Sequence, residues 1–316
     1  VKQKRALVVF VLLGLLISMV GCGGSKTSNT PEKTSKENPA VVQMDAQKAT
    51  LMVDVQWLKD NLDKVDVIDA RVEKDYTNGH IPGAVNATWQ SLCDMQGKPG
   101  EVGWGVALPQ EELAAKIGAL GISGEKPVIV YAQPPGWGEE GCVLWMLKMA
   151  GIKDAKMLDG GYAVWQTAGN ETSKDVVKAT AVPFKIDNVD ESLTASTDFI
   201  NKNLGKIRIV DSRSEKEYKG ATDYGEARGG HLPGAINIPF ESMFNQDNTL
   251  KDFDQLSQIF QDAGLKPGDE IVTYCTAGIR SGYMALVMRA AGYENARNYD
   301  ESFYEWAGNK SLKVEK

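Results

Sequence analysis

The run Ile271-Val-Thr-Tyr-Cys275-Thr-Ala-Gly-Ile-Arg280-Ser281 gathers the residue types from which a nucleophilic site is made. A short β-branched and aromatic stretch ends on a cysteine, a loop with one glycine and one arginine follows, and a helical pattern begins at Gly282 and runs to Ala291. This order puts a thiol at the carboxyl end of a strand, facing loop N–H groups and a helix N-terminus. Both favour negative charge, so the thiolate is stabilised and Cys275 becomes a nucleophile. Thr276, Ala277, Gly278, Ile279, Arg280 and Ser281 form the candidate cradle for substrate and for whatever the sulfur carries. Arg280 adds a fixed charge and a planar donor fork suited to an oxyanion.

The elements that must position this thiol alternate between strand and helix. Short apolar strands are expected at Val65–Ala70, Pro127–Tyr131, Ile207–Asp211 and Glu270–Tyr274. Helical spacing marks Asp54–Leu62, Pro109–Leu120, Val143–Ala150, Thr197–Leu204, Leu256–Ala263 and Gly282–Ala291, and a further helix begins over Glu73–Tyr76. The pattern predicts an α/β fold whose doubly wound, mainly parallel sheets are flanked by helices, with the ligand site at strand carboxyl ends. It also occurs twice. Val67-Ile-Asp69-Ala-Arg71 repeats as Ile209-Val-Asp211-Ser-Arg213, and His80-Ile-Pro-Gly-Ala-Val-Asn86 as His231-Leu-Pro-Gly-Ala-Ile-Asn237. Leu158-Asp159 to Trp165 matches Asn298 to Trp306. The repeat is too long for a solenoid unit and reads as two tandem domains, 46–170 and 193–316, joined by a linker at 171–192. The first copy has Ala132 where the second has Cys275, and its loop Gln133-Pro-Pro-Gly-Trp-Gly-Glu-Glu-Gly141 carries no basic residue. The first domain is therefore expected to be non-catalytic.

Other candidates weigh less. The two histidines, His80 and His231, occupy equivalent turns. A Cys–His pair through His231 is one reading, but His80 stands in the same turn without a nucleophile, which favours a structural role. Asp211 and Arg213 could bind substrate. Their recurrence as Asp69 and Arg71 in the copy without a thiol favours an ion pair that braces the loop. The spacing of His and Cys offers no zinc site, and no metal or cofactor is expected. Cys93 and Cys142 read as small buried thiols, with a disulfide between them as the alternative in an exported protein.

The C-x-x-G-x-R-S loop around Cys275 resembles the active-site loop of rhodanese-type sulfurtransferases. Val210-Asp211-Ser-Arg213 resembles that family's D-x-R strand end, Gly230 to Asn237 its H-I-P-G-A motif, and Tyr299-Asp300-Glu-Ser-Phe-Tyr-Glu-Trp306 its terminal Y-D-G-x-x-x-W segment. The resemblance implies a tandem enzyme of the thiosulfate or 3-mercaptopyruvate sulfurtransferase type, in which a Cys275 persulfide carries a sulfane sulfur from a small-molecule donor to a thiol, cyanide or a redox protein. The sequence departs from the thiosulfate-specific pattern at Glu217, where those relatives carry a substrate arginine, and at the neutral Thr276 and Ala277. Asp300-Glu301 replaces Asp-Gly beside the pocket. Two other classes stay open: a non-catalytic or redox accessory module handling sulfur or selenium, and a cysteine phosphatase. The latter needs five residues between cysteine and arginine, whereas only Thr276 to Ile279 intervene here.

The amino terminus has Lys2, Lys4 and Arg5 before an apolar stretch from Ala6 to Val20, then Met19-Val-Gly-Cys22. It reads as a signal segment over 1–22, and the last residues resemble a bacterial lipobox with Cys22 as the lipidated residue. Residues 23–45 are a polar, flexible tether. This implies a lipid-anchored protein of the cell envelope, at the outer membrane in a diderm or the outer face of the plasma membrane in a monoderm. Loss of those three basic residues takes the formal charge from −7 to −10, which argues against nucleic acid as a partner.

Overall fold

Runs of buried apolar residues at the centre of each half become parallel strands in the computed structural model, which describes residues 46–316. The signal segment, the tether and Cys22 lie outside the described residues. In the first half the strands are β1 (Met52–Val53), β2 (Asp66–Asp69), β3 (Val85–Asn86), β4 (Val128–Tyr131) and β5 (Ala155–Leu158), and they form one sheet in the order β1-β5-β4-β2-β3. In the second half β6 (Arg208–Asp211), β7 (Ile236–Asn237), β8 (Ile271–Tyr274) and β9 (Ala296–Asn298) form a sheet in the order β7-β6-β8-β9. Thr194 makes a parallel bridge to Asn298 at the edge that β1 occupies beside β5. All of the named strand pairs are parallel. The expected α/β architecture is present twice.

The helices of the first half are α1 (Lys48–Leu51), α2 (Val55–Asn61), α3 (Glu73–Asn78), α4 (Gln110–Ala119), α5 (Glu139–Met149) and α6 (Gly161–Thr167). Those of the second are α7 (Thr197–Lys202), α8 (Glu215–Tyr218), α9 (Phe253–Asp262), α10 (Ile279–Ala290) and α11 (Ser302–Gly308). Several begin earlier than the apolar spacing indicates. The α10 helix starts at Ile279 rather than Gly282, because Gly278 turns the chain with φ 80° and the polar first turn follows at once. For the same reason α5 starts at Glu139 rather than Val143, after Gly138 at φ 74°. The α9 start at Phe253 rather than Leu256 is set by the reciprocal cap between Asp252 and Gln255. Arg280 and Ser281 are thus helical residues, not loop residues.

The two halves share one apolar core. α5 packs on α10, and Leu144, Trp145 and Met146 of the first half are buried in the same cluster as Met284, Val287 and Met288 of the second. Close approach depends on Gly141, where an added Cβ would lie 2.3 Å from the Tyr283 ring. The connection is not a free linker. Ser173 exchanges backbone hydrogen bonds with His80, Val182 donates to the Gly118 carbonyl, and Asp190 donates to that of Met149. No helix of the described residues is long and apolar enough to cross a membrane.

Candidate active site

Cys275 stands at the carboxyl end of β8 and is 1% exposed. The neighbouring strand end is tied down by a buried ion pair and hydrogen bonds. At the end of β6, Arg213 holds Asp211 at 2.6 Å and donates to the Gly230 carbonyl at 2.7 Å, while the Tyr274 hydroxyl donates to Asp211 and accepts from the Leu232 N–H. Phe303 lies 4.0 Å beneath the Arg213 guanidinium. The same arrangement recurs in the first domain, where Arg71 holds Asp69 at 2.6 Å and the Tyr131 hydroxyl donates to Asp69. Asp211 and Arg213 are sealed under the sheet end with no exposure. They tie β6, β8 and the turn before β7 together.

The start of α11 holds the Cys275 backbone. The Cys275 N–H donates to Ser302 Oγ at 3.1 Å, and that hydroxyl donates to the Tyr299 carbonyl at 2.8 Å. The Phe303 and Tyr304 N–H groups donate to the carbonyls of Cys275 and Thr276. Ser302 accepts an unusual φ of 52° to do this; such strain persists where the surroundings over-determine it. Among the described residues nothing accepts from the backbone N–H of Thr276, Ala277, Gly278, Ile279, Arg280 or Ser281. A run of unpartnered N–H groups beside a thiol is a ready anion cradle.

Arg280 departs from its expected role. Its terminal nitrogens donate to both oxygens of Glu217, at 2.9 and 2.7 Å, and one of them also donates to Thr276 Oγ1 at 3.0 Å. Thr276 in turn donates to Glu217 at 2.9 Å. Burial alone would raise the Glu217 carboxyl. The Arg280 hydrogen bonds and charge, with help from Ser214, overcome this and bring it down to about 2. The fork expected to face an oxyanion is therefore already occupied, and Glu217 braces both ends of the cysteine loop. Sequence reading found Glu217 as a departure but not as this partner. The signal lies in Ser214 and Glu217, whose spacing also makes the cap of α8.

A pocket of about 340 Å³ opens over Cys275. Its wall is aromatic and comes from both domains: Trp89, Trp104 and Trp137 from the first, Tyr224 and Tyr304 from the second. Trp104 meets Trp89 at 6.0 Å and Tyr304 at 5.9 Å, both edge to face. Trp137 meets Tyr224 at 5.0 Å and lies 5.0 Å from the Arg280 guanidinium. The sequence singled out none of these residues as site residues, because they come from separate loops, a short 3-10 turn (Trp89–Leu92) and α11 that only the two-domain packing brings together.

The other candidates fall around this centre. Asp300 is buried against Gly278, and its Oδ2 accepts the Ala107 N–H of the first domain at 2.7 Å. Burial pushes its carboxyl up to about 7. His231 is stacked on Tyr218 at 3.8 Å with Nδ1 on the Tyr218 carbonyl, and it does not line the pocket. His80 repeats this against Tyr76. Cys93 and Cys142 are free, buried thiols, with Cys93 3.8 Å from the Met146 sulfur; burial pushes both well up. In the first domain the Ala132 carbonyl accepts the Tyr162 N–H, as that of Cys275 accepts Phe303, but there is no thiol.

Comparison with known proteins agrees with this fold. The model of the rhodanese-like domain matches residues 54–168 and again 196–309. The chain is 30% identical over 276 residues to a protein of Saccharopolyspora erythraea named "Putative thiosulfate sulfurtransferase", covering 84% of this chain and 96% of that one. It is 29% identical to "Sulfur carrier protein TtuD" of Thermus thermophilus over the same shares. Among solved structures, the anaerobic ergothioneine biosynthesis enzyme from Chlorobium limicola superposes with a TM-score of 0.76 at 22% identity, covering 85% of this chain and 71% of that one, a likeness of fold. With the domain matched twice, the copy with Cys275 following the copy with Ala132, the chain belongs to the rhodanese family of sulfurtransferases.

Proposed function

We propose that the protein moves a sulfane sulfur from a small-molecule donor to a thiol or another nucleophile through a persulfide on Cys275. The observation that carries this is the placement of Cys275 at the base of an aromatic pocket beside unpartnered loop N–H groups. The Cys275 thiolate attacks the donor's outer sulfur. A bond forms from Sγ to that sulfur, and the bond from it to the rest of the donor breaks, the remainder leaving with the electron pair. With thiosulfate the leaving group is sulfite. The persulfide anion is then stabilised by the N–H groups of residues 276–281. An acceptor thiolate, cyanide or redox-protein thiol attacks the outer sulfur and releases the Cys275 thiolate, which gives ping-pong kinetics. The sulfur-carrier name of one relative and the sulfurtransferase name of another support this class of donor and acceptor.

The phosphatase reading loses ground here, since Arg280 gives its terminal nitrogens to Glu217 rather than to an incoming phosphoryl group. A lipid on Cys22 would hold the enzyme in the bacterial cell envelope, at the outer membrane of a diderm or the outer face of the plasma membrane of a monoderm, with 23–45 as its tether. The deciding experiment is mass spectrometry of the protein after incubation with thiosulfate or 3-mercaptopyruvate. A gain of one sulfur atom on the Cys275 peptide is expected. No gain with any sulfane donor, or a gain on Cys93 or Cys142 instead, would overturn the assignment.

A further inference from the structure

The pocket over Cys275 has a charge and shape that fit poorly with a small oxyanion. Among the described residues, its charged lining groups are Glu139 and Arg280. Arg280 is neutralised by Glu217 at 2.7 Å. Glu139 lines the pocket, with the Trp137 N–H donating to its Oε2 at 2.9 Å and burial holding its carboxyl above the ordinary value, and no lysine lines the wall. The lining therefore offers no surplus positive side-chain charge to an anion. A dianion such as thiosulfate meets no free cationic side chain there.

What the wall offers instead is π surface. Trp104 stands at 81° to Trp89 and 72° to Tyr304, so the three rings are set at steep angles rather than stacked flat. Trp89 and Tyr304 are buried, and Trp137 and Tyr224 stand 41% and 40% exposed at the mouth. All three rings line the one pocket over Cys275, and the negative faces of Trp and Tyr attract a cation that is weakly hydrated, above all a quaternary ammonium. A volume of about 340 Å³ suits a small organic molecule.

We propose that this pocket selects a sulfur substrate bearing an organic cation, a quaternary or fully substituted ammonium group, with Trp89, Trp104 and Tyr304 as its cage and Glu139 as the nearby counter-charge. The proposal rests on the reading of Cys275 as the sulfur-carrying nucleophile and specifies the partner of that same pocket. The cation sits against the rings, and the reacting sulfur of donor or acceptor then lies towards Cys275 at the base.

Binding can be measured apart from turnover. The full chain carrying Cys275→Ser is titrated by tryptophan fluorescence with choline and with its neutral isostere, in which a quaternary carbon replaces the nitrogen. Choline is expected to bind about tenfold more tightly or better, and thiosulfate is expected not to displace it. Trp104→Leu should bring the two affinities together. Tyr304→Leu is the second variant should Trp104→Leu fail to fold. Equal or tighter binding of the isostere would show an apolar cavity only and overturn the cage, as would thiosulfate binding more tightly than choline. Sulfur loading of Cys275 is read separately by mass on the wild-type protein. A loaded Cys275 without a choline preference defeats the cage alone; a choline preference without loading defeats the sulfur-transfer reading and leaves the cage.

Discussion

Arg280 is held by hydrogen bonds to both Glu217 oxygens and to Thr276, so Glu217 is the residue whose change has the most direct chemical outcome. Glu217→Gln keeps an acceptor and removes the charge. Breaking a buried pair on one side costs roughly 3–5 kcal/mol when nothing replaces the partner, and the amide should lessen that loss. The freed guanidinium fork then faces the pocket. The expected result is a lower melting temperature together with a roughly tenfold rise in thiosulfate use relative to a neutral persulfide donor. Steady-state kinetics with both donors decides it; an unchanged ratio would mean that Arg280 never reaches the substrate. Glu217 also sets an acid limit. Its carboxyl lies below its ordinary value of 4.5, so its contribution is complete above that value and is lost as pH falls through about 2. Ser302→Ala removes the acceptor of the Cys275 N–H, worth about 1 kcal/mol. A several-fold drop in kcat with little change in KM is expected, and a KM effect alone would place Ser302 in binding instead. Cys275 was legible in the sequence because strand, thiol, glycine and arginine are contiguous. Glu217 was not, because its partner is 63 residues away and its local spacing already served as a helix cap.

At the scale of elements, the seam between α5 and α10 carries the most weight. Gly141 lets α5 approach the Tyr283 ring so closely that a Cβ would sit 2.3 Å from it, against the ring's near end rather than a flexible tip. Gly141→Ala gains helix propensity of about 1 kcal/mol in isolation, yet overpacking of this kind typically costs about 1–3 kcal/mol. The net expectation is a lower melting temperature and weaker substrate binding, since the pocket takes its rings from both sides of the seam. Thermal unfolding and KM measured together test it; a stabilised variant with unchanged KM would refute the tight seam. The helices with an apolar stripe and the central strands β2, β4, β6 and β8 were readable from composition. The edge strands β1, β3 and β7 were not, because each is two residues long. Nor were β5 and β9, whose Ala-Lys and Ala-Arg starts mask the alternation. Their existence is decided by neighbours in the sheet, which no local pattern contains.

For the whole molecule, Asp300 links the two domains by accepting the Ala107 N–H. Burial raises its carboxyl from 3.8 to about 7, so between those values the folded protein binds the proton that the unfolded chain has released, and stability falls as pH rises through that window. Asp300→Asn keeps the acceptor and removes the proton linkage. Its melting temperature should vary less between about pH 5 and 8 than that of the parent protein; parallel curves would mean that Asp300 does not titrate there. The proposed envelope anchor has its own check. Cys22→Ala should leave the protein unprocessed or release it from the membrane fraction, and unchanged mass and fractionation would remove the lipid from the account. The division into two domains was plain from the repeated motifs, but their shared pocket was not, because a repeat reveals two copies and not how they face each other. That shared pocket has an evolutionary corollary. Three of the rings above the thiol belong to the copy that has Ala132 in place of a nucleophile. On the proposed mechanism, that copy can change its tryptophans by mutation without touching the atoms that react. Preference for a new sulfur compound can therefore drift in one domain while the Cys275 loop of the other stays as it is.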